Sequence, residues 1–462
     1  MELSQVLALH RVSEHKFELS GLRTGSVRDQ MLRAQLLVEA LCDAKPPLIS
    51  ATQRLIVAGG GVAGAVAALT AAARGVRVDV IERSDNLFTT QLGVNTRWLD
   101  PTEFDWPHHH WEKGDIHWGG RAGPPLDYKA GRASDVAAIW SGVMNDLEAN
   151  GPPASWRGGS VTVQKDDAAA FSFFERPNGV VVAKIPSLLG TLFGAAISCI
   201  GFSGERTTVG TFVGPLFWKN DDLDTLPKRL DPGASSEPLS VLISGGGDGA
   251  QQDFLRALTG MFGKRLFHAL DVGTALKSLS KHLADILMAE DAGRRAHAWS
   301  TGRVVPKQDY LLWHTAYEDL AAEILNFWIK QGRIATLLSV LDRNVAATWL
   351  VGSEVPTFCY GLNRLLALLV GRLHQAQPPR RPPVIVTGFM LKSLQSVDGH
   401  ACNASCYKRQ HTALVHSVDD PTATDTLGPF DLVVVRHGVA QSPLFSAGAP
   451  IREQLVPMQP PG

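Results

Sequence analysis

Apolar residues along this chain follow two different periods, and the alternation between them predicts its architecture. Short uninterrupted apolar runs, such as 55–58 and 241–243, are typical of strands buried on both faces of a parallel sheet. Between 272 and 377 the apolar positions recur three and four residues apart, as at Ala316 and Leu320, which predicts helices. The pattern therefore predicts an α/β fold with two Rossmann-like dinucleotide-binding units and a large helical insertion in the second.

The same pattern divides the chain into segments whose boundaries fall at turns and proline-rich stretches. Strand-like runs between 160 and 185 predict a meander or substrate layer over the first sheet. The predicted segments are a helical lead-in (1–50), the first Rossmann-like domain with its meander layer (51–235), the second Rossmann-like domain in two pieces (236–271 and 383–445), the helical insertion (272–382) and a flexible tail (446–462).

A glycine-rich turn follows the first apolar run and carries the most specific pattern in the chain. Gly59, Gly61 and Gly64 match the G-x-G-x-x-G spacing of dinucleotide-binding turns. In such a turn the first glycine permits the sharp bend, the second lets the backbone approach a pyrophosphate, and the third lets the helix pack closely on the strand. The following helix, with Val62 and Ala63 at its start, would offer free backbone N–H groups to an anion.

An acidic residue completes this first unit. The next apolar strand, 76–81, ends at Glu82, which is 23 positions after Gly59. That spacing is expected of the acid that binds a ribose hydroxyl, and it favours a ribose without a phosphate. We therefore predict a dinucleotide site that includes Glu82 and its neighbour Arg83, with FAD and NAD both compatible. An ordinary glycine-rich turn that binds no ligand is the alternative.

The same kind of turn recurs 186 residues later. Gly245, Gly247 and Ala250 follow the strand 241–243, and alanine is an accepted third residue of the motif. An apolar run at 266–270 is the candidate for the second strand of this unit. The alternative is a degenerate Rossmann unit that keeps the fold and binds no nucleotide.

Together these elements resemble the flavoproteins with two dinucleotide-binding domains, which include thioredoxin reductase-like enzymes and flavin-dependent monooxygenases. Ala196–Gly201 resembles that family's strand ending in glycine, Gly245–Ala250 is similar to its second turn, and Phe430–Gly438 resembles its aspartate–strand–Ala-Thr-Gly element. The resemblance implies FAD on the first turn, NAD(P)H on the second and an oxidoreductase activity on a small-molecule substrate.

Two departures from the family pattern narrow the expected chemistry. Arg436 and His437 stand where Ala-Thr is usual. The five cysteines include no C-x-x-C pair, so disulfide reductase chemistry is not expected. His437 follows a predicted strand at the sheet edge where ligands bind in open α/β sheets, so it is a candidate catalytic residue. A structural role as the cap of a tight loop is the alternative.

A dense cluster of histidines and tryptophans lies between Asp105 and Trp118. Imidazole and carboxylate groups at this density could bind zinc or iron, but only His108 and Glu112 have helical ligand spacing, so no metal site is predicted. The resemblance places this segment beside the flavin, where His110 would be a candidate acid or base and the tryptophans would stack. The alternative is an aromatic loop with a structural role.

Composition narrows the range of partners and compartments. The chain has 462 residues and a net charge of −1 without a basic stripe, so nucleic-acid binding has no electrostatic support. Five cysteines without a disulfide pattern, and an N-terminus without a signal-peptide core, predict a cytoplasmic protein. The uncharged stretch 185–202 is about long enough to span a bilayer, but its proline and glycines favour a buried strand with a lead-in loop. No membrane partner is predicted, and an oligomer is compatible with the sequence.

The sequence therefore predicts an FAD-dependent oxidoreductase that uses NAD(P)H as the hydride donor. One alternative is a non-catalytic NAD- or FAD-binding protein that acts as a sensor or scaffold. Another is a single-cofactor NAD-dependent dehydrogenase in which the second turn is structural. The sequence does not distinguish NADH from NADPH and does not identify the substrate.

Overall fold

A computed structural model of the chain describes most of its residues. The described residues are 3–19, 26–108, 111, 123–170, 172–177, 179–228, 237–279, 283–290, 307–341, 343–356, 359–376, 383–398, 409–441 and 444–445. Their helices are α1 (Leu3–His10), α2 (Val27–Asp43), α3 (Val62–Ala73), α4 (Ala133–Asn150), α5 (Asp248–Thr259), α6 (Gly263–Ala269), α7 (Val272–Ser278), α8 (283–290), α9 (Lys307–Lys330), α10 (Ile334–Leu338) and α11 (Gly361–Gln375).

The strands of the described residues form two larger sheets, a three-stranded sheet and several two-stranded ribbons. They are β1 (Lys16–Glu18), β2 (Arg54–Ala58), β3 (Arg77–Glu82), β4 (Trp98–Leu99), β5 (Gly131–Arg132), β6 (Ser160–Lys165), β7 (Phe173–Arg176), β8 (Val180–Ala183), β9 (Phe193–Ser198), β10 (Phe202–Glu205), β11 (Thr208–Val209), β12 (Phe212–Val213), β13 (Leu239–Ser244), β14 (Val345–Val351), β15 (Val384–Thr387), β16 (Phe389–Ser396), β17 (His411–Ser417), β18 (Thr424–Phe430), β19 (Leu432–Val435) and β20 (Val439–Gln441).

The first sheet has the strand order β6-β3-β2-β9-β8-β7. The first four of these strands are parallel, and β8 and β7 continue the sheet in antiparallel pairs. The N-terminal segment, predicted as a helical lead-in, also supplies β1, which pairs in parallel with β9, and α2, which packs in the core beside α3. A strand of three residues is too short to show a hydrophobic period, so the sequence pattern did not indicate β1.

The second sheet has the strand order β15-β14-β13-β19, and all its pairs are parallel. The antiparallel sheet β16-β17-β18 packs on one face of it, where Leu391 and Val415 meet Leu242 and Val433 in one buried cluster. On the other face, α5, α9 and α11 pack around a large hydrophobic core that includes Phe254. The apolar face of each helix is buried in this core. The expected α/β class with two Rossmann-like units is therefore confirmed.

The strand predicted at 266–270 is wrong, because this segment belongs to α6. Leu266, Phe267 and Leu270 are buried on one helical face, and a five-residue apolar run does not distinguish a strand from such a face. The second strand of this unit is instead β14, which lies within the range 272–382 that was predicted as a helical insertion. In the described part of that range, helices therefore occur on both sides of a sheet strand.

The long apolar segments of the described residues are buried inside the protein. No helix among the described residues combines the length and the apolar character that crossing a membrane requires. The uncharged stretch 185–202 contains β9, every residue of which is buried between neighbouring strands and helices. The predicted flexible tail, 446–462, lies outside the described residues.

Candidate functional site

Two of the glycines in the first turn are required by close packing. Gly59 has a φ of 104°, in the left-handed region that favours glycine, and a Cβ there would lie 2.5 Å from the Cys199 carbonyl oxygen. A Cβ on Gly64 would overlap the Gly59 carbonyl oxygen. The bend after β2 and the close approach of α3 to it therefore both depend on the absence of a side chain.

Gly61 differs from its neighbours because it faces open space. It is the N-cap residue of α3, with φ −67° and ψ 179°, and a Cβ added to it would meet nothing within 4 Å. The first turn of α3 starts here, at Val62 and Ala63, and its N–H groups and the helix dipole favour an anion at this end. The turn thus provides a cradle that a Cβ would fill, and it fits the pyrophosphate of a dinucleotide.

Glu82 lies directly against this turn. Its carboxylate accepts a hydrogen bond from Gly60 N at 2.6 Å and another from Ser84 N at 2.8 Å. A carboxylate offers about four lone-pair positions, so two remain for the hydroxyls of a ribose. Arg83 follows on the exposed side of the strand end. The structure therefore brings Glu82 to the turn, as a ribose-binding acid requires.

The second turn has the same backbone plan but different neighbouring residues. Gly245 has a φ of 142°, and a Cβ on it would overlap the Arg436 carbonyl oxygen. Gly247 is the N-cap of α5, and Ala250 is fully buried. A Cβ on Gly249 would lie 3.3 Å from the Phe217 ring, and one on Gly246 would lie 3.3 Å from Val351 Cγ1. The residues beside the two turns therefore differ: Leu87 and Glu82 lie beside Gly60 in the first turn, and Val351 and Ser353 lie beside Gly246 in the second.

The first residue of α5, Asp248, turns its side chain into the protein. Its Oδ1 accepts hydrogen bonds from Tyr360 N at 3.1 Å and from Asn363 Nδ2 at 2.9 Å, and its Oδ2 accepts one from Gln252 Nε2 at 2.6 Å. Burial raises the pKa of this carboxyl even though the hydrogen bonds act in the opposite direction. Asp248 is thus part of the packing between α5 and α11.

A second buried carboxyl group, that of Glu103, is hydrogen-bonded to the same side-chain amide of Asn363. Glu103 Oε1 accepts a hydrogen bond from Asn363 Nδ2 at 3.1 Å. Burial, followed by the nearby carboxylates of Asp248 and Asp100, raises the pKa of Glu103 to about 8. Glu103 therefore carries a proton at neutral pH. No local sequence pattern indicates this pair, because its members are far apart along the chain and meet only through tertiary packing.

A buried network of three arginines and three aspartates joins the two units beside the second turn. Arg256 Nη2 donates to Asp221 Oδ1 at 2.6 Å, and Arg256 Nε donates to Asp224 Oδ1 at 2.7 Å. Arg97, from the segment after β3, donates to Asp221 Oδ2 at 2.7 Å and also to Asp253 on α5. Three positive and three negative charges balance here, as buried ions require.

Arg436 is the remaining member of this network, and it explains one departure from the family pattern. Its Nε donates to Asp253 Oδ2 at 2.7 Å. Although burial acts in the opposite direction, the guanidinium groups of Arg97, Arg436 and Arg256 hold the pKa of Asp253 well below its usual range. Arginine in place of alanine therefore neutralises a fully buried carboxylate.

The second candidate residue of the same element, His437, lies at the carboxyl ends of β19 and β13. Its Nε2 is 2.8 Å from Ser244 Oγ, and its backbone N–H donates to Arg206 O at 3.2 Å. Burial lowers the pKa of His437, so the imidazole is neutral at neutral pH. A neutral imidazole both donates and accepts, and this one is oriented by a hydroxyl.

The tryptophans of the aromatic segment do not reach the first turn. Trp106 and Trp111 are buried in the core of the second unit, where Trp106 packs 6.0 Å from Tyr317 and Trp111 packs edge-on to Phe267 at 4.8 Å. The expectation that they stack on a flavin is not supported, because this segment crosses to the other unit. His110 lies outside the described residues. No group of three or more metal-ligating side chains occurs in the part of the chain that the structure describes.

Sequence reasoning also missed the residues that follow β14. Ser353 lies beside the second turn, with its Oγ 3.7 Å from a Cβ built on Gly246, and Glu354 follows it. The end of the second strand is where a ribose-binding side chain is expected. Because the turn and β14 are far apart in the sequence, the sequence pattern did not show that these residues lie beside the turn. A strand-length apolar run, 345–351, ending in Gly-Ser-Glu was the available signal.

Comparison with known proteins bears on the first unit. Residues 54–191 match the family model described as FAD dependent oxidoreductase, a range that contains the first turn and Glu82. The match supports the expectation of an FAD-dependent oxidoreductase over this range. A search of curated protein sequences found no match.

Solved structures with a similar fold include reductases of three organisms. A thioredoxin reductase of Lactococcus lactis is 10% identical, over 84% of this chain and 78% of that chain, with a TM-score of 0.35. A thioredoxin reductase of T. acidophilum is 10% identical over 84% and 77%, with a TM-score of 0.34. A bacillithiol disulfide reductase of Bacillus cereus is 10% identical over 84% and 78%, with a TM-score of 0.36. At these values the likeness carries no argument about activity.

Proposed function

We propose that this protein is an FAD-dependent oxidoreductase that takes its reducing equivalents from NAD(P)H and acts on a small molecule in the cytoplasm. The observation that carries the proposal is the first glycine turn. Its backbone is closely packed at Gly59 and Gly64 and open at Gly61, and Glu82 lies against it. The family match over 54–191 supports FAD as the occupant.

The residues of the first unit have separate tasks in this proposal. The backbone from Gly61 to Ala63, at the N-terminus of α3, holds the pyrophosphate through N–H groups. Glu82 accepts hydrogen bonds from the ribose hydroxyls, and Arg83 lies at the rim of the same strand end. Bound FAD supplies the two-electron chemistry that the side chains of the protein lack.

The second unit supplies the candidate donor site and a proton-handling group. Gly245, Gly247 and Ala250 would hold NAD(P)H at the N-terminus of α5, and Ser353 lies at the adjoining strand end. His437, neutral and oriented by the hydrogen bond between its Nε2 and a serine hydroxyl, would donate or accept a proton at the other ring nitrogen, Nδ1. The catalytic roles of His437 and His110 stay predictions.

The test uses the open space at Gly61. A Gly61→Ala substitution adds a methyl group where the protein has no contact, so the fold is retained while the pyrophosphate position is obstructed. The matched control is Gly142→Ala on the exposed side of α4, where a Cβ also meets nothing within 4 Å. The measurement is the absorbance spectrum of each purified protein after incubation with FAD and removal of excess.

Wild type and Gly142→Ala should show flavin absorbance, and Gly61→Ala should lose most of it with an unchanged thermal midpoint. A colourless wild-type protein would falsify the proposal. Equal flavin content in Gly61→Ala would show that the cofactor is held elsewhere.

A second candidate is an oxidoreductase whose second turn is only structural, as in the single-cofactor alternative. The first residue of α5 favours it, because Asp248 is committed to internal hydrogen bonds with Tyr360 N and Asn363 Nδ2. A Gly247→Trp substitution at the N-cap of α5 distinguishes the two. If NAD(P)H binds there, this variant keeps its flavin and loses NAD(P)H oxidation. If the turn is structural, activity with the true donor is unchanged.

A further inference from the structure

A cavity of about 400 Å³ lies at the end of α5 that is opposite to the second glycine turn. Its wall includes Gly260, which ends α5, and Ser339 and Arg343 before β14. Since α5 has 12 residues, the cavity is roughly 18 Å from the turn at Gly247, at 1.5 Å per residue. It is therefore separate from both turns that the proposed function uses.

Positive charge is concentrated in this cavity. Arg132 of β5, Lys228 of the connection between the units, Arg265 of α6 and Arg343 line it. The carboxylate of the lining residue Asp224 already accepts a hydrogen bond from Arg256 Nε at 2.7 Å. The cavity thus keeps an excess of positive charge in a chain whose net charge is only −1.

Two of these cations are held in place by the surrounding structure. Arg343 donates to the backbone carbonyls of Leu226 and Asp224, and a Cβ on Gly260 would overlap its guanidinium. The guanidinium of Arg265 lies 5.1 Å over the ring of Trp98, in cation–π contact. Cations that are oriented before a ligand arrives lose less entropy when it binds.

We propose that this cavity is a binding site for a small molecule that carries a phosphate or diphosphate group. Guanidinium groups match the geometry of phosphate oxygens and bind them in pairs of parallel hydrogen bonds. Pockets for small ligands start at about 300 Å³, so the volume suits a compact phosphorylated molecule. The four cations come from four different segments and line one common space.

The experiment is a calorimetric titration of the protein, saturated with FAD, with pyrophosphate at low salt. The test variant combines Arg132→Gln and Arg265→Gln, which removes two exposed cations from the lining. The matched control is Arg176→Gln, an exposed arginine of the first sheet. Wild type and control should show saturable binding at one site, and the double variant should bind roughly tenfold more weakly or less.

A Gly247→Trp variant separates this site from the second turn. Its affinity for pyrophosphate should equal that of wild type; a loss in this variant would place the anion on the turn and overturn the proposal. Absence of saturable binding by wild type at millimolar pyrophosphate, or unchanged affinity in the double variant, would also overturn it. Citrate binding as tightly as pyrophosphate would exclude the phosphate class. If the double variant is unfolded by circular dichroism, Arg132→Gln alone should still weaken binding several-fold.

Discussion

The two glycine turns share a spacing and differ in their surroundings. At the first, Gly61 has no neighbour within 4 Å of a built Cβ, and an acid lies at the end of the next strand. At the second, the first helical residue, Asp248, turns its side chain inward and accepts a hydrogen bond from Tyr360 N at the start of α11. Equal spacing therefore specifies similar backbone turns, whereas the polar groups beside each turn depend on which other residues pack against it.

The largest expected effect is on stability, and it comes from the arginine–aspartate network beside the second turn. Arg97→Met removes one of the guanidiniums that neutralise buried Asp253, beside the second turn, and should lower the free energy of unfolding by about 3–5 kcal/mol. The measurement is urea denaturation followed by circular dichroism. Arg74→Met is the control, because the pair between Arg74 and Asp43 is exposed and should contribute at most about 1 kcal/mol. Equal effects of both substitutions would contradict a structural role for the buried network.

A substitution of His437 tests whether the region of the second turn has a catalytic role as well as a structural one. If its imidazole transfers a proton, His437→Gln should lower kcat about a hundredfold at unchanged flavin content. The measurement is steady-state NAD(P)H oxidation with the flavin absorbance recorded on the same sample. A kcat equal to that of wild type would leave His437 with the structural role of binding Ser244.

The third residue of the motif is glycine in the first turn and alanine in the second, so substituting each by the other compares how closely the two helices pack on their turns. Gly64→Ala forces a methyl group onto the Gly59 carbonyl oxygen and should cost about 2 kcal/mol of stability, with loss of flavin. Ala250→Gly in the second turn creates no overlap and should cost only about 0.5–1 kcal/mol, the usual penalty for glycine in a helix. Chemical denaturation of both variants checks this order. The reverse order would mean that α3 tolerates a side chain at the turn.

The protonated carboxyl near the second turn predicts a pH dependence. The pKa of Glu103 rises from 4.5 to about 8 on folding, so between these values the folded protein holds a proton that the unfolded chain has released. Stability should therefore fall as the pH rises through this window, by about 1.4 kcal/mol per pH unit. Denaturation midpoints of wild type and Glu103→Gln at several pH values check this. A slope that persists in Glu103→Gln would assign the dependence to another group.

Local sequence patterns identified the first unit because all its parts lie within about 30 residues, the usual length of a βαβ unit. The strand, the glycines, the helix and Glu82 follow each other, so each could be placed from its neighbours. The second unit failed at its second strand, because helices intervene between α5 and β14 and the apolar run at 266–270 has strand length. The period of apolar residues along the sequence does not indicate which distant strands pair with each other.

The sequence by itself determined the α/β class, the two turns and the acid at the first, because backbone conformation and strand–helix order follow from local residue types. Only the tertiary structure decided which polar groups lie beside each turn, where Trp106 and Trp111 pack, and that Arg436 pairs with the buried Asp253. These outcomes depend on side chains brought together from distant segments, and their energies come from burial and charge pairing that exist only after folding.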